Sequence, residues 1–189
     1  MKRLFDLCLA IPLGIVLALP MLGVALLVRL TSMGPALYWS DRVGRDNSIF
    51  RMPKFRSMRI ETPDVAAHLL VDPGTHLTSI GGFLRKASLD ELPQLWSILK
   101  GDMSFVGPRP ALFNQEDLIE KRTRCGVHQL IPGLTGLAQL GSRGVDFDGS
   151  DALEMSAKVA LDREYLETRT FWLDLTILAR TAGVFLRKS

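Results

Sequence analysis

A chain of 189 residues is the size of one domain with a modest core, and its 47% hydrophobic content, free of repeats and low-complexity tracts, excludes a disordered or fibrous protein. The formal net charge of +3 is mild but unevenly placed. Between positions 29 and 59 stand Arg29, Arg42, Arg45, Arg51, Lys54, Arg56 and Arg59 against only Asp41 and Asp46, a balance suited to an anionic membrane face or a phosphorylated ligand. No zinc module, RNA-recognition motif or helix-turn-helix accompanies this charge, so nucleic acid is not the expected partner. Cys8 and Cys125 are far apart, and His68, His76 and His128 are dispersed. Neither set has metal-ligand spacing, and no Ser-His-Asp arrangement or Walker loop is readable.

Leu7 to Val28 carries no charge. As a helix at about 1.5 Å per residue it reaches roughly 33 Å, enough to cross a bilayer. Yet Lys2 and Arg3 precede it while Arg29 and the basic block follow, and positive charge favours the cytoplasmic side at both ends. A helix that enters one leaflet, breaks at Pro20 and returns resolves the conflict; an ordinary spanning anchor is the alternative. Gly34-Pro35 ends this segment.

Ala36–Trp39 and Ile49–Met52 read as two short strands of a hairpin around a basic turn, with Tyr38 and Trp39 at interface level. Lys54 to Arg59 alternates basic and apolar residues, which on a strand places Lys54, Arg56 and Met58 on one face. That face is either a basic edge for phosphate or a solvated strand. A loop-bounded helix is expected at Asp64–Val71, and another over Ile80–Arg85. Leu92, Leu95, Trp96 and Leu99 fall at helical spacing and form an apolar face, with Trp96 in the core and Gly101 as C-cap. A charged amphipathic helix follows over Leu112–Arg124, then a tight loop at Pro132–Gly136. Asp151 to Leu186 reads as one or two helices with an apolar stripe through Leu161, Tyr165, Trp172, Leu175, Ala179 and Leu186, packed on the core or lying at a lipid interface.

The chemistry concentrates in Arg85–Pro110, RKASLDELPQLWSILKGDMSFVGPRP. Ser88-Leu89-Asp90-Glu91 fits an S-x-x-E capping box, in which both acids are simply helix-start residues. Pro93 places that start close to Asp90, where backbone N–H groups and the helix dipole favour an ionised carboxylate, as a covalent phosphoryl acceptor requires. Arg109, pinned between Pro108 and Pro110, has a donor fork suited to phosphate.

SLDELPQLWSILKGDMSFVGPRP closely resembles the signature of the bacterial sugar transferases, the monotopic phosphoglycosyl transferases acting on polyprenol phosphate. YWSDRVGRDNSIFRMPKFRSMR and PGLTGLAQLGSRG resemble the same family in the same order, so the likeness covers most of the chain. It implies an α/β (α+β) fold, mainly helical with short strands. A re-entrant membrane helix (1–33) broken at Pro20, interfacial amphipathic helices and a cytoplasmic, membrane-associated catalytic domain (34–189) go with it. Members often have serine before that proline, where this chain has Leu19. The implied reaction moves a phosphosugar from a UDP-sugar to undecaprenyl (polyprenyl) phosphate through a covalent aspartyl intermediate and releases UMP. Asp90 would be the nucleophile and Glu91 would orient it or the metal. Mg²⁺ would be held by Asp90, Glu91 and the diphosphate. Lys54, Arg85 and Arg109 would neutralise phosphate, with Gln139 and Arg143 near the nucleotide. The implied setting is the cytoplasmic face of the bacterial inner membrane, in contact with phospholipid, and homodimerisation is left open. The small form leans towards N-acetylated amino sugars. The rival readings are a membrane-anchored scaffold that binds lipid head groups without catalysis, and a hydrolase using the same aspartate.

Overall fold

The computed structural model describes residues 2–63, 72, 74–142 and 151–188. The helix expected at Asp64–Val71 lies outside the described residues. The fold is mainly helical with short strands, as expected.

Helix α1 (Lys2–Thr31) is continuous through Pro12 and Pro20, so the expected break at Pro20 is not visible as an interruption. Each proline removes one donor from the helix ladder. Packing on both sides of them offsets that loss. Asp6, Ala10, Val24 and Val28 are buried, and Leu13, Leu17 and Met21 pack against the core between them. This spacing of three and four residues defines one stripe along the whole helix. The opposite face stays apolar and exposed, with Ile15 at 73% and Leu19 at 78%.

Both ends of α1 are tied to the same globular body. At the start, Lys2 Nζ bonds Asp174 Oδ2 at 2.5 Å and Tyr165 Oη at 3.0 Å. Arg3 donates to the carbonyls of Ile98 and Leu99. Asp6 Oδ1 accepts from Ser104 Oγ at 3.0 Å and from the Phe105 amide at 3.2 Å. At the far end, Arg56 donates to the carbonyls of Met33 and Ser32 and to Ser32 Oγ. A cation there meets the negative end of the helix dipole.

Strands β1 (Leu37–Val43) and β2 (Ile49–Phe55) pair antiparallel, Leu37 opposite Phe55 and Val43 opposite Ile49. The strand stops at Phe55, so Arg56 leaves the face expected to carry Lys54 and is buried at the end of α1. Its role is structural. Helix α2 (Gly81–Lys86) leads to a 3₁₀ turn over Leu89–Gln94, which passes into α3 (Leu95–Lys100), capped by left-handed Gly101 at φ 97°. The tighter turn changes the phase of the apolar pattern. Leu95 and Ile98 are therefore buried, whereas Trp96, expected in the core, is 55% exposed.

Strands β3 (Ser104–Val106) and β4 (Gly133–Thr135) pair parallel, flanking helix α4 (Glu116–Arg124) in sequence. Gly107 and Gly133 let the two backbones cross: a Cβ on Gly133 would lie 2.1 Å from the Gly107 nitrogen. Helices α5 (Leu137–Ser142), α6 (Asp151–Thr168) and α7 (Phe171–Lys188) complete the fold. The main core gathers Ala10, Met52, Ile98, Met103, Phe105, Val127, Tyr165 and Ile177 from most of these elements. Of the stripe expected on the last helices, Tyr165 is buried and Trp172 is 75% exposed.

Candidate active site

The 3₁₀ turn carries Asp90 and Glu91, and its local geometry answers the capping-box reading. Ser88 adopts a left-handed conformation at φ 55° and makes no side-chain cap, so the box is not formed. The acids are not there to cap a helix. The turn packs on β2, which delivers Lys54 from the hairpin side. From the opposite side, the chain leaving β3 brings Arg109.

Glu91 is the meeting point. Its Oε1 accepts from Lys54 Nζ at 3.3 Å and from Arg109 Nη2. Burial pushes the Glu91 carboxyl up, but the charges of Arg109 and Lys54, with their hydrogen bonds, outweigh it and hold the pKa at about 2. Burial lowers Lys54 to about 8, helped by Arg109 and Arg42 and opposed by Glu91. Asp90 behaves differently. It is buried, and among the described residues no side chain forms an ion pair with it within 4 Å. Burial pushes its carboxyl up, Lys54 and Arg85 pull it down and Glu91 pushes it up again, with a net rise. The sequence expectation of a dipole-favoured carboxylate is thus corrected in direction: lost hydration outweighs the turn's own N–H groups.

The arrangement brings together Lys54, Asp90, Glu91 and Arg109, with exposed Arg85 on α2 near enough for its charge to act on Asp90. Gln139 sits half-buried on α5. Arg143 lies outside the described residues. Among the described residues no group of three or more His, Cys, Asp and Glu forms a metal cage. Any cation here would need ligands from Asp90, Glu91 and a bound phosphate together. A cavity of about 30 Å³ behind Pro108 and Pro110, lined also by Ile119, Arg122 and His128, has room for only a water or two.

Arg122 and Asp162 escaped the sequence reading, and Arg42 entered it only as one charge of the basic block. Arg42 donates to the Pro110 carbonyl at 3.3 Å and adds positive charge beside Lys54. Arg122 donates to the Arg109 carbonyl at 2.8 Å and pairs with Asp162. Their spacing to Arg109 in sequence carries no motif; only the fold joins them.

The chain is 41% identical over 186 residues to the UDP-glucose:undecaprenyl-phosphate glucose-1-phosphate transferase of Caulobacter vibrioides, covering 95% of this chain and 67% of that one. It is 38% identical to the undecaprenyl-phosphate galactose phosphotransferase of Salmonella typhimurium, covering 100% of this chain but only 41% of the relative. A Bacillus subtilis protein, named an uncharacterized sugar transferase, is 40% identical, with 96% of this chain and 85% of the relative covered. The bacterial sugar transferase family model matches residues 1–188, the whole span that builds α1, the Lys54–Glu91–Arg109 cluster and the closing helices. With the match running the full length of the fold, the chain belongs to the bacterial sugar transferase family.

Proposed function

We propose that the protein transfers a phosphosugar from a UDP-sugar to undecaprenyl phosphate through a covalent Asp90 intermediate. The observation that carries this reading is the contrast between the two acids: Glu91 is neutralised by two cations, while Asp90, beside it, is buried and unpaired. In the first step an Asp90 oxygen attacks the sugar-linked phosphorus, the bond to the other phosphate breaks, and UMP leaves. In the second, an oxygen of the lipid phosphate attacks the same phosphorus and displaces the Asp90 carboxylate. The product is the polyprenyl diphosphate sugar. Burial sharpens Asp90 as a nucleophile by stripping its hydration, while Lys54 and Arg85 keep it from being lost to protonation. Arg109 and Lys54, held in place by Glu91, neutralise phosphate oxygens as charge moves. Gln139 and Arg143 are proposed for the nucleotide end. Asp90 and Glu91 would hold a Mg²⁺ ion together with the diphosphate, and it would supply charge that screens the repulsion between anions.

The membrane setting follows from α1. A 30-residue helix is about 45 Å long. With Lys2, Arg3 and Asp6 anchored to the domain at one end and Arg56 gripping the other, both ends belong on one side of the bilayer. Its outward apolar face is too extensive for water and suits the lipid of one leaflet. This supports a helix lying along one membrane surface, with the exposed Trp172 of α7 at the interface, and the positive charge of Lys2, Arg3 and Arg29 at both ends favours the cytoplasmic face. The names of relatives include glucose, galactose and N-acetylgalactosamine donors, so the donor sugar is best found with a panel. The test is UMP release from each UDP-sugar by purified protein with Mg²⁺. Release that depends on undecaprenyl phosphate, and a phosphosugar adduct on Asp90 by intact mass, are expected. Release at the same rate with water alone as acceptor points to a hydrolase, and no release from any donor points to the scaffold.

A further inference from the structure

The turn that presents Arg109 has four consecutive carbonyls, and each is taken by a donor from elsewhere in the fold. Pro108 O accepts from the Gly133 amide at 2.9 Å and Ala111 O from the Val43 amide at 2.9 Å. Arg42 Nη1 reaches Pro110 O at 3.3 Å, and Arg122 Nη1 reaches Arg109 O at 2.8 Å. The two arginine donors are themselves held: Arg42 Nε donates to Ser40 Oγ at 2.9 Å, and Arg122 is tied to a buried carboxylate. Arg122 Nε and Nη2 both donate to Asp162 Oδ2, at 2.9 and 2.6 Å, and Asp162 is 2% exposed on α6.

A buried ion pair of this kind is often only a staple between helices, here α4 and α6. The third nitrogen of the guanidinium argues for more. It is spent on the backbone of the residue whose own side chain grips Glu91. Prolines on both sides already restrict that backbone. Fixing the carbonyl of Arg109 then fixes the remaining rotation and so the direction in which its side chain leaves.

We propose that Arg122 and Asp162 are positioning residues that aim the Arg109 guanidinium at Glu91 and the substrate phosphate. The inference rests on the phosphate-holding role given to Arg109 above. It assigns a part in turnover to Asp162, on an element remote in sequence from the reacting carboxylate.

A double-mutant cycle tests it on the full-length protein in detergent micelles. The readout is transfer to undecaprenyl phosphate from the most active of UDP-glucose, UDP-galactose and UDP-N-acetylgalactosamine. Arg122→Lys keeps a charge opposite Asp162, but a single ammonium cannot hold the carboxylate and the carbonyl together. It should lower kcat about tenfold, with KM for the UDP-sugar moving less than about threefold. Asp162→Asn, which keeps the side-chain size, should behave alike. Arg109→Ala alone should cost about 10²-fold. In that background either substitution should cost less than about twofold, because nothing remains to be aimed. An equal loss in both backgrounds, tracking a fall in Tm, means a mere staple and overturns the proposal. Arg122→Lys and Asp162→Asn both within about twofold of wild type overturn it as well. Arg109→Ala within about threefold of wild type instead refutes the phosphate-holding role itself, so the two failures are told apart.

Discussion

Replacing Glu91 with glutamine removes the carboxylate that Lys54 and Arg109 share while keeping the length of the side chain. Lys54 stands at about 8 because burial and Arg109 push it down and Glu91 holds it up. At the observed separation of 3.3 Å, the Lys54–Glu91 attraction is about 1.3 kcal/mol with the screening of bulk water and about 5 kcal/mol at an effective dielectric of about 20. The two side chains are only 16% and 20% exposed, which puts the value between those limits. At about 1.4 kcal/mol per unit, Lys54 should fall by at least about one unit and by less than about four. The sign is fixed: losing a neighbouring anion disfavours the ammonium. If the ammonium is the active form, kcat/KM for the UDP-sugar, which reports the free enzyme, should decline through about pH 8 in wild type and through about pH 7 or lower in Glu91→Gln. At about pH 7.5 titration alone then costs threefold or more, and with a one-unit shift most of it returns by about pH 6. UMP release measured across this range supplies the profile. An alkaline limb that stays at or above its wild-type position refutes the electrostatic coupling, whatever happens to the plateau.

Asp90→Asn should keep its fold and membrane association but lose turnover by about 10⁴-fold or more, with no phosphosugar adduct by intact mass. An adduct that persists would move the nucleophile elsewhere. Gly133→Ala forces a Cβ against the Gly107 backbone, and overpacking of about 1–3 kcal/mol should lower Tm by about 2 °C or more in thermal unfolding. An unchanged Tm would show that the β3–β4 crossing can relax. With Cys8 and Cys125 replaced by serine, a cysteine ahead of Met1 and one at Met33, which is 91% exposed, should both resist an impermeant thiol reagent on intact cells. Labelling of the first but not the second would mean that α1 crosses the bilayer.

The acids of the site were legible early because they lie in one short stretch with proline and arginine landmarks, where local chemistry restricts the backbone. Ser88 is an instructive exception. Its sequence fits a capping box, yet its left-handed conformation belongs to a 3₁₀ turn that packing on β2 selects over the helix start.

Sequence by itself determined the apolar amino-terminal helix though not its continuity through Pro20, the β1–β2 hairpin, the Gly101 cap and the identity of Asp90, Glu91 and Arg109 as candidate chemistry, since each depends on neighbours within a few positions. The tertiary structure alone decided which acid is paired and which is free, because Lys54 and Arg109 reach Glu91 from elements 37 and 18 positions away. It also turned Arg56 from a strand-face residue into the clasp on α1 and exposed Trp96 through the change of helical phase. It joined Arg122 to Asp162 across 40 positions. These are pairings between distant segments, and which partners meet is set by how the layers pack, which no local spacing encodes.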